Sequence, residues 1–345
     1  MGKKHYQLLD IIKLIAAFMV IGLHTRPFLS ISVFADSIYN YDIASYAVPL
    51  FYACTGFFIA INSMSKSDFV HSIKRRIQKT TVVYVWCTVL YFPLTLYGWT
   101  ANGKNVAYNI LDFIRNFFFV GENYYSWTLW YLNGLIFALL IVLWGIQKAD
   151  LKQLFVISAF LYVIGLLLQT ETVYQGAFPQ FINTAIRLYF KIFHTTRNSL
   201  FRSFAFVMVG MMIGKQVQQD KLRVNSLQKA VVLIAYALKV PLSVFGGGTI
   251  QNSVCQMLDL PTMYVLFALV IIQASRFNKI NKRTALLFRS LSGNIYYIHM
   301  YFVALCALIL MSEDTYNNFF SFFVVAVLST FLGAGMIFLR RKESS

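Results

Sequence analysis

Long apolar runs restrict the possible folds of this chain more than any other feature. Ten runs are long enough to cross the roughly 30 Å hydrocarbon core of a lipid bilayer as α-helices, each of which needs about 20 residues. We therefore predict an all-α fold, a polytopic transmembrane helical bundle of about ten spans. The predicted spans lie near residues 8–28, 43–63, 80–97, 127–145, 151–168, 200–215, 228–245, 258–275, 290–311 and 319–339.

The composition agrees with a membrane protein and argues against a soluble one. Of the 345 residues, 58% are hydrophobic and only 12% are charged, and the mean hydropathy is +0.62. The net charge of +17 would suit nucleic acid, but the basic residues form short clusters between the apolar runs, where topology signals are expected. We therefore expect the chain to associate with a lipid bilayer and not with nucleic acid.

The distribution of lysine and arginine predicts the orientation. If the N-terminus is cytoplasmic, most of the 30 basic residues fall in the predicted cytoplasmic connections, as the positive-inside rule requires. An even number of spans then leaves both termini in the cytoplasm. The first run follows Lys3 and Lys4, as in a signal peptide, but it is long, contains Lys13 and lacks a small-residue cleavage site, so we interpret it as a retained helix.

The chain shows no internal repeat and no low-complexity linker. This predicts a single transmembrane domain over residues 1–345, in a multi-pass protein of the bacterial cytoplasmic membrane. Two outer connections, 98–126 and 169–199, are long, and each contains an aromatic and basic stretch with apolar residues at helical spacing. These stretches predict either interfacial or re-entrant helices that roof a cavity, or ordinary surface helices on lipid headgroups.

The first predicted span carries ionisable residues where apolar ones are expected, namely Asp10, Lys13 and His24. Eleven positions separate Lys13 from His24, which returns them to nearly one helical face about 16 Å apart, and Asp10 falls on the same stripe. Ionisable groups at membrane depth are costly and usually face a polar cavity. A neutral imidazole is also the commonest general base. This stripe is the first candidate site, although Lys13 could also simply snorkel to the interface.

A compact basic cluster stands at the cytoplasmic start of the third span, in IKRRIQKTTVVYVW. Lys74, Arg75, Arg76 and Lys79 could anchor the helix, or bind the phosphate groups of a cytoplasmic donor. Activity driven by nucleoside triphosphate hydrolysis is not expected, because the chain has no Walker-type or GxGxxG loop.

Candidate acceptor-binding residues lie on the outer side and in the ninth span. Trp127 and Trp130 lie at the start of the fourth span. They could form an aromatic belt at the membrane interface, or a surface on which a sugar ring stacks. Arg197 enters the sixth span from the outside, against the charge bias, and could hold an anionic acceptor or intermediate. His299 lies inside the ninth span and needs a partner, whether its role is structural or catalytic.

Together, these stretches resemble the acyltransferase family 3 membrane proteins over almost the whole chain. Lys13 and His24 match the family's pattern of Arg or Lys, ten residues, then His. The other matching stretches are LFYACTGFF at 50–58, the basic pair Arg76 and Lys79, LWYLNGLI, and NIYYIH near the C-terminus. Positions 13 and 79 carry lysine, where the family commonly has arginine. Lysine keeps the positive charge but cannot make the two parallel hydrogen bonds of a guanidinium group.

The resemblance implies transfer of an acyl group, often acetyl, from cytoplasmic acyl-CoA to an extracytoplasmic hydroxyl acceptor such as a cell-wall or surface glycan. His24 would act as general base or transient acyl carrier, and Asp10 would orient or neutralise Lys13. Lys13, Arg75, Arg76 and Lys79 would hold acetyl-CoA, and the acceptor would meet Arg197, Trp127, Trp130 and His299. The activity implied by the resemblance requires no metal ion, and the resemblance is compatible with a homodimer.

The stretches FYACTGFF, LWYLNGLI and HTTRNSLF resemble in particular the membrane portion of the vancomycin-resistance membrane serine racemases (VanT-type). Their racemase domain has no counterpart here, which fits a stand-alone relative or a piece of a longer protein. This resemblance supports an alternative function, a carrier for a small polar solute such as serine, in which the same ionisable residues bind solute or protons. The third hypothesis is a membrane anchor that neither catalyses a reaction nor transports a solute.

Overall fold

The computed structural model describes residues 5–169, 178–196, 199–245, 253, 255–310 and 317–343. Within these ranges the chain is helical and contains no strand, as predicted. The helices are, in chain order, α1 (Gln7–Thr25), α2 (Val33–Ser37), α3 (Ala47–Ile61), α4 (Lys66–Ala101), α5 (Val106–Arg115), α6 (Trp130–Gly145), α7 (Leu151–Leu168), α8 (Gln180–Phe193), α9 (Phe204–Gln218), α10 (Ser226–Phe245), α11 (Asp259–Arg276), α12 (Lys282–Leu310) and α13 (Phe319–Glu343).

Nine helical segments of the described part are long and apolar enough to cross a membrane, and they match nine of the ten predicted spans. The tenth prediction, 228–245, also folds as a helix, α10, whose 20 residues have the length to cross about 30 Å. The nine segments are Gln7–Thr25, Val33–Ile61, Lys66–Ala101, Trp127–Gly145, Leu151–Leu168, Leu200–Gln218, Cys255–Arg276, Lys282–Leu310 and Phe319–Leu339. The chain is therefore a multi-pass membrane protein.

The contacts between Cα atoms divide the chain into two compact units. Unit 1 comprises Met1–Phe51, Val224–Val244 and Val265–Ser345. Unit 2 comprises Tyr52–Arg223 and Phe245–Tyr264.

In unit 1, α1 packs along α12, and α12 packs along α13. The inner side of α1 is apolar and partly small, with Leu9, Ala16 and Ala17 buried, so that the two helices can approach closely. The first residue of α1 is also tied to the connection before α12, because Gln7 Nε2 donates to Asn278 Oδ1 at 3.1 Å. Both contacts hold α1 in register with α12.

In unit 2, α9 forms the core, and ten of its 15 residues are buried, all of them between Phe204 and Gly214. It lies so close to α3 that a Cβ atom added at Gly210 would collide with the carbonyl of Ala53, and one added at Gly56 would collide with the carbonyl of Val207. Glycine at these positions allows two backbones to touch, as is common where membrane helices associate.

The longest helix is α4, with 36 residues. At 1.5 Å per residue it measures about 54 Å, well beyond the hydrocarbon thickness. It begins with a reciprocal cap in which the Ser65 hydroxyl accepts from the Asp68 N–H and the Asp68 carboxylate accepts from the Ser65 N–H. Because polar first turns are supported in this way, the helix starts fourteen residues before the predicted apolar span.

The two predicted outer helices exist. The first forms α5 and continues as a π-helical segment, Asn116–Val120, and the second forms α8. They meet in unit 2, where the rings of Phe119 and Phe193 pack edge to face with centroids 5.7 Å apart. Whether these helices roof a cavity or rest on lipid headgroups stays a prediction.

Candidate functional site

The first turns of α1 carry a buried carboxylate held between two cations. Asp10 has no exposed surface. Arg289 of α12 donates two hydrogen bonds to its carboxylate, from Nε to Oδ1 at 2.8 Å and from Nη2 to Oδ2 at 3.0 Å. Lys13, one turn further along α1, places Nζ 3.6 Å from Oδ1. One negative charge therefore faces two positive charges at this end of α1.

His5 completes this cluster just before α1. Its Nε2 lies 3.2 Å from Arg289 Nη2, and because a guanidinium group can only donate, Nε2 must accept and the ring proton must sit on Nδ1. Burial lowers the pKa of His5 below its usual value, and the positive charge of Arg289 lowers it further. His5 is therefore held in its neutral form.

The last turn of α1 brings His24 to a second histidine. The ring of His24 lies 5.7 Å, centroid to centroid, from the ring of His299, which is fully buried in α12. Nδ1 of His299 is 3.1 Å from the carbonyl oxygen of Ile295 and 2.9 Å from that of Tyr296. Since carbonyl oxygens only accept, Nδ1 must carry the proton.

The second nitrogen of His299 is consequently a bare acceptor. Nε2 is buried and has no hydrogen-bond partner among the described residues. A buried acceptor without a partner is costly, by about 1–3 kcal/mol, and such groups are rare outside functional sites. The pair of His24 and His299 thus offers a lone pair that can receive the hydrogen of a hydroxyl group.

The turn that follows His24 is fixed from the neighbouring segment of unit 1. Arg26 adopts a left-handed backbone, with φ of 42°, and its Nε donates to Asp36 Oδ2 at 3.1 Å. Tyr39 packs directly over Gly22, where any side chain would collide with its ring. These contacts set the height and rotation of the helix end that presents His24.

The two ends of α1 contact α12 in the same order along both helices. Asp10 meets Arg289 at one end, and His24 meets His299 at the other. The two helices therefore run parallel and carry the charged cluster and the histidine pair together. The structure brings Asp10, Lys13, His24 and His299 into unit 1.

Three of the four predicted donor-binding residues belong to unit 2, whereas Lys13 belongs to unit 1. Arg75, Arg76 and Lys79 are all exposed on the early turns of α4. They stand on the part of α4 that precedes its apolar stretch, where their charges remain accessible to an anion.

Two of the predicted acceptor-binding residues also lie in unit 2. Trp127 is 40% exposed, and Trp130 is half-buried, with its ring centroid 6.5 Å from that of Tyr52. Arg197 lies outside the described residues.

Sequence reasoning missed two charged residues of unit 1. Arg289 lies directly before the predicted span 290–311, where a basic residue indicates only topology, although it stands ten positions before His299, much as Lys13 precedes His24. Lys239 lies inside the predicted span 228–245, and the same rule that singled out Lys13 could have found it. Its Nζ is 4.0 Å from Asp42 Oδ1, with both side chains almost fully buried, and 4.6 Å from the ring centroid of Tyr46.

In the described part of the chain, no three His, Cys, Asp or Glu side chains are grouped so that they could hold a metal ion. The geometry instead combines an anion-attracting cluster, a histidine pair and a buried Lys–Asp pair.

Comparison with known proteins places the chain in a family. A family model described as an acyltransferase domain matches residues 6–339. A serine/alanine racemase of Enterococcus gallinarum is 27% identical over 347 residues, which cover 97% of this chain and 46% of that protein. Two amino-acid racemases of Enterococcus faecalis are 29% identical over 207 residues (59% of this chain, 27% of the relative) and 31% identical over 160 residues (46% and 22%).

The chain thus spans less than half the length of each of these relatives. No solved structure matches it. The racemases agree with the resemblance to VanT-type proteins, and the family match extends over nearly the whole chain. The chain belongs to the acyltransferase family 3 of integral membrane proteins.

Proposed function

We propose that the chain transfers an acyl group, most simply acetyl, from acyl-CoA on the cytoplasmic side to a hydroxyl group of an extracytoplasmic acceptor such as a cell-wall or surface glycan. The observation that carries this proposal is the histidine pair. Nε2 of His299 is a buried acceptor without a described partner, and it stands beside the ring of His24. A hydroxyl group held by this pair would be both positioned and close to a base.

In the proposed reaction, the acceptor oxygen attacks the carbonyl carbon of the thioester. A C–O bond forms, the C–S bond breaks, and His24 takes the hydroxyl proton. The imidazolium then returns this proton to the leaving CoA thiolate, so the products are the ester and free CoA, and His24 ends neutral. His299 acts as a positioning residue, because its tautomer is set by the carbonyl groups of Ile295 and Tyr296.

The basic residues would hold the donor. Arg75, Arg76 and Lys79 are exposed and suit the phosphate groups of CoA. Lys13 is largely buried, with 13% of its side chain exposed, and would act near the thioester end. Asp10 lies between Arg289 and Lys13 and thereby fixes the position of Lys13 on α1.

The experiment that tests this function uses the full chain in lipid nanodiscs. We would measure acetyl-CoA binding and CoA release, with and without glycan acceptors, for wild type and for His24→Ala. We expect wild type to bind acetyl-CoA and release CoA only with an acceptor, whereas His24→Ala binds but loses release by about 10²- to 10⁴-fold.

Two results would change this account. Release of one CoA per protein in the absence of acceptor would make His24 a transient acyl carrier instead of a base. Absence of acyl-CoA binding in wild type would overturn the transferase proposal. His71→Ala is the matched control, because His71 is an exposed histidine that has no role in the proposed reaction.

A second candidate function is a carrier for a small zwitterion such as serine, and it rests on a different observation. Lys239 and Asp42 face each other at 4.0 Å in the interior of unit 1, and Tyr46 covers the ammonium group. Burying a pair of opposite charges costs desolvation free energy, and such pairs inside a membrane usually mark a functional site. An amino acid could dock its carboxylate on Lys239 and its ammonium group on Asp42.

Uptake of labelled serine into proteoliposomes tests this second candidate. We expect Lys239→Met to abolish uptake if the pair binds the solute. Equal uptake by wild type and empty liposomes would exclude the carrier.

A further inference from the structure

A basic pocket of about 720 Å³ opens at one end of unit 2. It lies where five candidate membrane spans begin or end, so it stands at the depth where helices leave the hydrocarbon layer and meet lipid headgroups. These five are Val33–Ile61, Trp127–Gly145 and Leu200–Gln218, which end at the pocket, and Lys66–Ala101 and Leu151–Leu168, which begin there.

The charge of the pocket is strongly positive. Four lysines line it, namely Lys66, Lys148, Lys152 and Lys215, together with one aspartate, Asp150. The lysines come from three parts of the chain that are far apart in sequence, and all are exposed. These parts are the start of α4, the segment from the end of α6 into α7, and the last turn of α9. The distribution of basic residues predicts that this end of the unit is cytoplasmic.

The single carboxylate does not neutralise the lysines, because one negative charge cannot balance four positive charges. Asp150 caps the first turn of α7, where its Oδ1 accepts the N–H of Gln153 at 2.7 Å. The helix N-termini at the pocket are thereby satisfied by their own caps. An anion in the pocket would therefore meet ammonium groups and not free backbone N–H groups.

One wall of the pocket is held by hydrogen bonds within unit 2. Gln218 Nε2, at the end of α9, donates to the carbonyl oxygens of Ala60 and Ser63, each at 2.9 Å. Ser63 in turn donates to the carbonyl of Ile59 at 2.6 Å. The end of α3 is thus fixed against the end of α9, and the pocket exists before any ligand arrives.

Apolar side chains line the remainder of the pocket, including Phe69, Leu151 and Met212. A phosphate group would meet the lysines, while hydrocarbon attached to it would meet these side chains. The volume falls in the usual range of sites that enclose a small molecule.

We propose that this pocket binds the headgroup of an anionic glycerophospholipid of the adjacent leaflet. Its phosphate lies among Lys66, Lys148, Lys152 and Lys215, and its upper acyl chains follow the apolar lining. Basic pockets between membrane helices are the usual sites for anionic lipid headgroups. The proposal is independent of the acyltransferase activity.

The phosphate groups of CoA share this chemistry, but two features favour the lipid. The pocket stands at headgroup depth, where five spans meet the interface, and it joins positive charge to apolar side chains as a lipid requires.

Native mass spectrometry of the detergent-purified chain tests the proposal. Phosphatidylglycerol, phosphatidylcholine and CoA serve as probes. We would compare wild type with a pocket variant carrying Lys66→Gln, Lys148→Gln, Lys152→Gln and Lys215→Gln. The matched control variant carries Lys221→Gln, Arg223→Gln, Lys229→Gln and Arg276→Gln, which remove four exposed charges on the same predicted side and outside the pocket lining.

We expect wild type to prefer phosphatidylglycerol over phosphatidylcholine, and the pocket variant to lose affinity for phosphatidylglycerol by at least about tenfold. The control variant should keep wild-type affinity. Equal losses in both variants would overturn the proposal, because the attraction would then be a diffuse surface effect. Displacement of phosphatidylglycerol by micromolar CoA would also overturn it and assign the pocket to a soluble phosphate ligand.

Discussion

At the scale of single residues, the hydrogen bonding of the His299 ring is the most specific evidence for the proposed site. Its Nδ1 proton is held by two carbonyl groups that already belong to α12, so its Nε2 is the one atom of the ring that can act on another group. An unpartnered buried acceptor lowers stability, and proteins keep such groups where activity needs them.

Replacement of His299 by leucine should therefore separate stability from activity. We expect His299→Leu to keep or raise the melting temperature, because it removes an unsatisfied acceptor worth about 1–3 kcal/mol. The kcat of acyl transfer should fall by at least about tenfold, with the KM for acetyl-CoA unchanged. A loss of stability together with unchanged kcat would show that His299 is structural.

The neutral state of His5 predicts a pH dependence of stability. Because its pKa in the folded protein lies below the usual 6.5, the unfolded chain binds this proton more readily. The stabilisation is complete above about pH 6.5 and is lost as the pH falls through the lowered pKa.

The melting temperature of wild type should therefore drop between pH 7.5 and pH 5.5, and the drop should be smaller in His5→Gln. His71→Gln, which changes an exposed histidine of α4, should retain the wild-type drop. Parallel pH profiles for wild type and His5→Gln would contradict this account.

At the scale of helices, the approach of α3 and α9 sets a sharp requirement for glycine. Gly210→Ala should lower the stability of the protein by about 1–3 kcal/mol, because the new methyl group has no space beside the carbonyl of Ala53. Gly335→Ala is the matched control in α13, where nothing lies within 4 Å of the added Cβ.

The control should be neutral or stabilising by about 0.5–1 kcal/mol, because alanine forms helix better than glycine. Thermal unfolding in detergent, followed by thiol-reactive fluorescence, measures both variants. Similar effects of the two substitutions would mean that the close approach has no energetic consequence.

The sequence allowed most helices to be predicted because apolar runs of membrane length have few alternatives to a helix. It also placed Asp10, Lys13 and His24 on one helix by spacing alone. The pairing of Asp10 with Arg289 could not be read in this way, since it joins residues 279 positions apart and depends on which spans are neighbours. The early start of α4 was missed because its first turns are polar and hydropathy does not detect helix outside the membrane.

At the scale of the whole molecule, the number of crossings determines where the C-terminus lies. Nine described segments qualify as spans by length and composition, and α10 is not among them. We predict that α10 crosses as the tenth span, which gives the even number that the charge distribution favours. Reporter fusions after residue 345 and before residue 1 should therefore both read as cytoplasmic. An extracytoplasmic C-terminal reporter would mean that α10 does not cross the membrane.

The length of α1 has a consequence for the surrounding lipid. With 19 residues it measures about 28 Å, and it is pinned at one end through Gln7 and Asn278 and followed at the other by the Arg26–Asp36 pair. A helix pinned at both ends cannot tilt freely to absorb hydrophobic mismatch, so the bilayer must deform instead. Turnover measured in nanodiscs of graded acyl-chain length should peak where bilayer thickness matches α1, and the chain would then sense membrane thickness.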